Sequence, residues 1–204
     1  MKNYPKKWVF ILLPIAIITV LSGCKKGEDD PFISLMSRKS RVAGEWKISK
    51  SISTSTYGSP AVTCTTTYDG NTESKTCGSG NPSTSVILNE VTFEKDGTFK
   101  WHLEKTPTGG AKVTSDYEGT WNFTCGVGDV KSKEQIAFTF TKWTTIDASG
   151  SSTATINSNL YNVYDITQLK NKEMALHAKS DNSYSANGSS GNSSSEETIT
   201  LTAK

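Results

Sequence analysis

Arginine and histidine are scarce in this chain. Among its 204 residues there are two arginines, Arg38 and Arg41, and two histidines, His102 and His177. Binding to a phosphate backbone needs clustered Lys and Arg side chains, so the shortage of arginine argues against a nucleic-acid partner. The histidines lie far apart on segments of alternating polarity, and no C-x-x-C spacing is present. No metal site is therefore predicted.

The residue combinations of common catalytic centres are also missing. A hydrolytic nucleophile needs a histidine and a carboxylate to orient it, but both histidines fall on the polar phase of their strands and are expected to face solvent. Asp116 and Glu118 could support glycosidase chemistry, although adjacent exposed acids more often serve solubility. No glycine-rich phosphate loop or calcium-loop spacing is present. We expect a protein that is not an enzyme and holds no cofactor.

The chain has no apolar run of the length needed for a permanent membrane span near its start. The run from Trp8 to Leu21 has 14 residues with Pro14 in its middle, whereas a helix needs about 20 apolar residues to cross a bilayer. Three lysines precede this run, and the small residues Ser22 and Gly23 follow it. Residues 1–23 are therefore predicted to be a signal peptide.

The residues at the end of this segment, Leu21-Ser22-Gly23-Cys24, resemble the lipobox of bacterial lipoproteins. The resemblance implies that the Cys24 thiol receives a diacylglyceryl group and that cleavage then makes Cys24 the first residue of the mature chain, with a further acyl group on its amine. Each buried methylene contributes about 0.8 kcal/mol, and a single acyl chain gives only marginal membrane binding. Several chains would therefore anchor the protein stably to a membrane.

Residues 24–40 are expected to form a lipidated tether that ends in a short helix or coil. The segment from Lys25 to Pro31 is polar and charged, so it cannot bury itself. Its acidic cluster, Glu28-Asp29-Asp30, resembles the export signal of surface lipoproteins in Bacteroidetes, although an ordinary linker has the same composition. We expect lipid anchoring in the outer membrane, with cell-surface and periplasmic orientations both open.

Three further cysteines follow the lipobox, at positions 64, 77 and 125. An exported chain meets conditions in which disulfides persist, and three cysteines leave one over. Cys64 and Cys77 flank twelve polar residues that include the turn signal Asp69-Gly70, so a disulfide between them would close a hairpin and lower the entropy of the unfolded chain. Cys125 follows two aromatic residues at strand spacing and is predicted to be a small buried hydrophobe.

Apolar and polar residues alternate with a period of two from Gly44 onward, as expected for strands with one buried face. The clearest element is a hairpin in which Asp96-Gly97 forms the turn. Its strands and the other predicted strands are Gly44 to Ser49, Val91 to Glu94, Phe99 to Glu104, Lys112 to Cys125, Glu134 to Trp143, Thr153 to Ile166, Met174 to Ala178 and Thr198 to Ala203.

Two segments rich in serine, threonine, asparagine or glycine interrupt this pattern. Residues 51–85 predict at most one weak strand between long loops, and residues 180–195 predict a flexible loop. Eight or nine strands without a long amphipathic helix favour an all-β, antiparallel up-and-down β-barrel over residues 41–204, because closure removes exposed strand edges. A two-sheet β-sandwich predicts the same alternation and is the alternative fold.

Several short segments resemble the lipocalin-like lipoproteins of Bacteroidetes, a family with an up-and-down β-barrel. They are Gly44-Glu45-Trp46, Val91-Thr92-Phe93 with Asp96-Gly97-Thr98, Gly119-Thr120-Trp121, Tyr164-Asp165-Ile166 and Thr198-Ile199-Thr200-Leu201. The resemblance implies that Trp46 plugs one end of the barrel. In lipocalins an arginine from the last strand region packs on that ring. No arginine follows Arg41 here, so Arg41 or Lys204 is the candidate substitute.

The predicted inner face carries enough bulky side chains to fill much of a small barrel, which leaves room for one small apolar cavity. The candidate ligand-binding residues are Trp46, Trp101, Trp121, Phe138 and Tyr164. We expect a membrane-anchored module that binds a small apolar ligand, and an open pocket beside Trp101 or Trp121 would favour this function. The alternative is a structural or accessory subunit that contacts a protein partner at the outer membrane or cell surface.

Replacing the lipobox cysteine tests the anchor. In a Cys24→Ser chain no thiol can accept the diacylglyceryl group, so we expect the protein to leave the membrane fraction or to keep residues 1–23. Membrane fractionation, metabolic labelling with a radioactive fatty acid and the mass of the purified chain measure these outcomes. A variant that is processed, acylated and membrane-bound would contradict the lipoprotein prediction.

Overall fold

The computed structural model describes residues 37–58, 60–125, 134–156, 161–186 and 189–204, which form an all-β protein with one short helix. The helix, α1, comprises Arg38–Val42. The strands are β1 Gly44–Tyr57, β2 Val62–Tyr68, β3 Thr72–Cys77, β4 Ser83–Phe93, β5 Thr98–Pro107, β6 Val113–Cys125, β7 Glu134–Asp147, β8 Gly150–Thr155, β9 Tyr161–Leu169, β10 Glu173–Ala186 and β11 Ser189–Ala203.

The predicted signal peptide, Cys24 and most of the predicted tether lie outside the described residues. The short helix predicted at the end of the tether rested on apolar residues before position 37, which are not described. The described residues that follow them form α1. Among the helices of the described ranges, none has the length and apolar character needed to cross a membrane.

Ten strands form a closed antiparallel barrel, and β8 is an extra strand on its wall. Each strand of the ring pairs with its neighbour in chain order, except that β7 pairs with β9 beyond β8. The ring closes where β11 pairs with β1. The predicted up-and-down barrel is therefore confirmed, with slightly more strands than the eight or nine expected.

The β2–β3 hairpin is inserted into the wall along only part of its height. Residues 44–47 of β1 pair directly with residues 90–93 of β4, whereas from Ser51 onward β1 pairs with β2. The hairpin turn reaches the point of change, where a Cβ added to Gly70 would lie 2.9 Å from the carbonyl oxygen of Ser49. Because β2 and β3 are left out there, eight of the ten strands close the ring at this end, which we call the narrow end. The opposite end is the wide end.

The expected loops at residues 51–85 and 180–195 are mostly strands, so both predictions were wrong. The first segment forms the second half of β1, all of β2 and β3 and the start of β4, and in the second, residues 180–186 of β10 pair with residues 189–195 of β11. These strands carry small hydroxyl side chains on both faces, which hides the alternation. Threonine nevertheless favours strands, and a neighbouring strand satisfies the backbone hydrogen bonds.

The long strand predicted from Thr153 to Ile166 is divided in the structure. Its first residues belong to β8, which pairs only with the second half of β7, and its last residues belong to β9, which pairs with the first half of β7. Two successive strands therefore share one partner, an arrangement that alternation within a single segment does not reveal.

Helix α1 covers the narrow end of the barrel. Val42 and Trp46 are fully buried there, and the Trp46 indole N–H donates a hydrogen bond of 2.8 Å to the carbonyl oxygen of Val42. Arg41 is also buried, and its guanidinium donates to the carbonyl oxygen of Leu169. Lys204 instead lies at the surface, where its ammonium is 2.8 Å from the Glu90 carboxylate. Of the two candidate substitutes for the lipocalin arginine, Arg41 is the buried one.

Rings from four strands pack against one another above this helix. Between ring centroids, Phe99 lies 5.6 Å from Phe138 and 5.3 Å from Phe140. Both contacts are edge-on, which is the arrangement that aromatic quadrupoles favour. Gly119 makes this packing possible, because a Cβ there would lie 2.7 Å from the Phe99 ring and 2.1 Å from the carbonyl oxygen of Thr139. The core at the narrow end therefore depends on a residue with no side chain.

Adding one methyl group at this glycine tests the packing. Gly119→Ala is expected to lower the free energy of unfolding by about 2 kcal/mol, since the ring and the backbone must both move to admit the new atom. Urea unfolding followed by tryptophan fluorescence measures the change. Thr120→Ala, at the exposed neighbouring position, is the control and should change the midpoint little. Equal midpoints for the two variants would contradict the proposed role of Gly119.

Candidate functional site

A pocket of about 280 Å³ opens inside the barrel, on the wide-end side of the aromatic core. Its lining comes from five strands and consists of Asn89, Trp101, Leu103, Tyr117, Phe140 and Asn162. Four of these side chains are aromatic or aliphatic and two are amides. Such a mixture, mostly apolar with a few polar groups, is typical of small-molecule sites.

The strand register explains how these residues meet. Side chains two apart on a strand share one face, so Trp101 and Leu103 follow the core residue Phe99 along the inner face of β5. Trp101 pairs in register with Tyr117 of β6, and Leu103 pairs with Asn89 of β4. The pocket is thus the next layer of the barrel interior above the packed core.

A hydrogen bond orients the central ring of the pocket. The Trp101 indole N–H donates to the side-chain oxygen of Asn89 over 2.5 Å. Since the amide oxygen of Asn89 is engaged in this way, its amide N–H groups are the donors that this side chain can offer to a bound molecule. Trp101 is therefore held against one wall, with its ring forming part of the pocket surface.

Aromatic contacts continue from the pocket towards solvent and towards β9. Tyr117 stacks on Trp143 with a centroid distance of 6.1 Å and nearly parallel rings, and Trp143 is 42% exposed. In the other direction Trp101 contacts Phe138 at 6.4 Å, and Phe138 contacts Tyr164 at 5.9 Å. Ring contacts therefore run from the exposed rim of the barrel, through the rings that line the pocket, to the buried core.

The structure separates the five residues predicted to bind a ligand into two groups. Trp101 lines the pocket, and Phe138 and Tyr164 follow it in the ring contacts just described. Trp46 and Trp121 instead belong to the buried core at the narrow end, where they are 1% and 3% exposed. The pocket seen in the structure lies beside Trp101.

Of the six lining residues, the sequence predicted Trp101 as a ligand-binding residue and missed the other five, which are Asn89, Leu103, Tyr117, Phe140 and Asn162. Tyr117 and Asn89 continue the inner faces of their strands, so alternation could have indicated both. Asn162 falls at the start of β9, inside a segment that was predicted as one longer strand, and its place depends on where β9 begins.

A carboxylate also faces the interior. Glu197 shares the inner face of β11 with the buried residues Ile199 and Leu201, and the Tyr164 hydroxyl donates a hydrogen bond of 3.0 Å to it. Burial raises the pKa of Glu197 above its ordinary value, while the Tyr164 hydrogen bond acts in the opposite direction. Burial, followed by the charge of Glu197, raises the pKa of Tyr164. Within the described ranges no lysine, arginine or histidine forms an ion pair with Glu197.

The wall opposite the rings is polar. Ser53 of β1 stands in register with Glu197, and by strand alternation Ser51 and Ser55 share its inner face. At the wide end, the Lys105 ammonium lies 2.6 Å from the Glu73 carboxylate. The upper interior therefore combines an aromatic wall from β5, β6 and β7 with a wall of hydroxyl and carboxylate groups from β1 and β11.

Both histidines form hydrogen bonds with carboxylates on the outer surface. His102 Nδ1 lies 2.6 Å from an Asp116 oxygen, and His177 Nε2 lies 2.9 Å from a Glu196 oxygen. Asp116, which the sequence suggested together with Glu118 as a catalytic pair, forms this hydrogen bond at the surface of the barrel. Within the described ranges, no group of three or more metal-binding side chains occurs.

Cys64 and Cys77, the cysteines of the predicted disulfide, are bonded across the β2–β3 hairpin, with 4.0 Å between their Cα atoms. They occupy opposite positions in the strand register. Cys125 was expected to be buried, but it is exposed at the end of β6. That prediction was wrong because the alternation of β6 continues beyond the packed core formed by the described residues.

Comparison of the chain with protein-family models, with curated proteins and with solved structures gives no significant match. The resemblance to lipocalin-like lipoproteins therefore stays a prediction, and the functional argument rests on the geometry of the pocket.

The partly buried carboxylate of Glu197 predicts a pH dependence of stability. Because its pKa is raised, folded Glu197 binds more protons than unfolded Glu197 at pH values above 4.5, the ordinary pKa of glutamate. The contribution of this residue to the free energy of unfolding therefore falls as pH rises through the interval between the two pKa values. Glu197→Gln should remove the loss. Urea midpoints of both proteins across a pH series measure the difference.

Glu196→Gln is the matched control. This neighbour points outward, and its hydrogen bond to His177 lowers its pKa. Glu196 should therefore stabilise the folded state at neutral pH and lose this effect as pH falls, which is opposite to the pH dependence expected for Glu197. If Glu197→Gln and the unmodified protein keep a constant difference in midpoint from acid to neutral pH, the interior placement of the carboxylate is wrong.

Proposed function

We propose that this protein is a lipoprotein anchored in the outer membrane through Cys24, and that its barrel binds a small apolar ligand in the pocket beside Trp101. The pocket is the observation that carries the binding proposal. Cys24 and the segment before it carry the anchoring proposal, through their resemblance to a lipobox.

Size and lining both support a small ligand. The volume of about 280 Å³ lies just below the range of drug-sized small-molecule sites, about 300–1,000 Å³. The rings of Trp101, Tyr117 and Phe140 offer a flat apolar surface, and the amides of Asn89 and Asn162 supply hydrogen-bonding groups that would orient the bound molecule. A compact molecule with an apolar body fits this chemistry best.

The position of the tether supports access from the side away from the membrane. The chain enters the barrel through α1, which covers the narrow end, while the pocket lies towards the wide end. A lipid on Cys24 would hold the narrow end nearer the membrane. A ligand would then reach the pocket from the envelope space or the medium without passing the helix.

Filling the pocket tests the proposal. Leu103→Trp adds a large side chain to the lining and is expected to weaken binding of 4-phenylbutan-1-ol, a small neutral probe, by about tenfold or more, since the apolar volume is lost. Isothermal titration of the lipidated protein in phosphatidylcholine nanodiscs, corrected with empty nanodiscs, measures the affinity.

Val86→Trp is the control for this substitution, because Val86 is 56% exposed on the neighbouring strand β4. It should leave the affinity unchanged. Absence of saturable binding to the unmodified protein, or equal affinity in the two tryptophan variants, would overturn the binding proposal.

A further inference from the structure

Glu197 indicates which kind of ligand the barrel selects, an inference that rests on the proposed binding function. Its carboxylate faces the interior and accepts one hydrogen bond, from Tyr164. No cationic side chain of the described ranges accompanies it. A carboxylate withdrawn from water is costly unless it is neutralised or paired.

The carboxylate and the pocket both face the interior of the barrel, and side-chain contacts connect them. Tyr164 touches Glu197 through its hydroxyl and Phe138 through its ring, and Phe138 in turn contacts Trp101. Asn162, which lines the pocket, lies two residues before Tyr164 on the same face of β9. Tyr164 therefore links the carboxylate to the part of β9 that lines the pocket.

The charges around the pocket favour a cation over an anion. Lys105, on the inner face of β5, is already neutralised by Glu73 at 2.6 Å, so it offers little attraction to an anionic ligand. Aromatic faces attract cations through the ring quadrupole, and the rings of Trp101 and Tyr117 line the pocket. An anionic ligand would instead meet Glu197 as a like charge.

We propose that the ligand is a small amine, with an apolar or aromatic body in the pocket beside Trp101 and one ammonium group paired with the Glu197 carboxylate. The ammonium supplies the positive charge that the protein itself does not place beside Glu197. Tyr164 keeps the carboxylate oriented through its hydroxyl, and the serines of β1 solvate the polar side of the head group.

Three molecules of one shape separate charge from apolar fit. These are 4-phenylbutylamine, 4-phenylbutan-1-ol and 4-phenylbutyrate, titrated at neutral pH into the lipidated protein in phosphatidylcholine nanodiscs, with empty nanodiscs as background. We expect the amine to bind about tenfold or more tightly than the alcohol, and the acid to bind more weakly than the alcohol.

Substitution of the carboxylate then assigns the effect. Glu197→Gln should bring the amine to the affinity of the alcohol and leave the alcohol unchanged, whereas Glu196→Gln, on the outer face of the same strand, should preserve the preference. Thermal unfolding of each variant checks that it is folded, and the comparison of the three probes on the unmodified protein needs no variant.

The outcomes distinguish this inference from the function on which it rests. Equal binding of amine and alcohol, or an amine preference that survives Glu197→Gln in a folded variant, would overturn the amine proposal while the apolar pocket stands. Saturable binding of none of the three probes would overturn both.

Discussion

The direct pairing of β1 with β4 is the constraint on which the rest of the structure depends. It spans only residues 44–47 and 90–93, but it closes eight strands into a ring, a size that side chains can fill. The rings around Phe99, the position of Gly119 where no side chain fits, and helix α1 above Trp46 all lie at this end. Where β1 leaves β4, the inserted hairpin widens the wall, and the interior changes from packed core to pocket.

The widened part of the barrel is divided by chemistry as well as by space. Rings from β5, β6 and β7 form one wall, whereas serine side chains and Glu197 form the wall opposite. The two walls are in contact at Tyr164, whose hydroxyl donates to Glu197 and whose ring contacts Phe138. This arrangement connects the pocket beside Trp101 to the acid, and it is why the apolar ligand expected from the sequence is refined into a small molecule with a charged head.

Alternation predicted the strands that face the packed core, because each buried side chain there is apolar and its neighbours are polar. It failed where both faces are hydroxyl-rich, as in β2 and in the hairpin after Ser180. It also assigned Trp46 and Trp121 to the ligand site together with Trp101, because all three are inward-facing aromatic residues. Only their height in the barrel differs, and alternation does not indicate height. The Asp96-Gly97 hairpin was predictable because its turn and both strands are local.

The sequence by itself determined the period-two pattern of the all-β domain, the candidate cysteine pair of one hairpin and the lipobox from which anchoring is proposed, since each is encoded by residues near one another in the chain. Tertiary structure alone decided that β1 changes partner, that a pocket opens above Phe99 and that Glu197 faces the interior beside Tyr164. Those features depend on strand register between segments more than 30 residues apart, and register is set by closure of the whole ring.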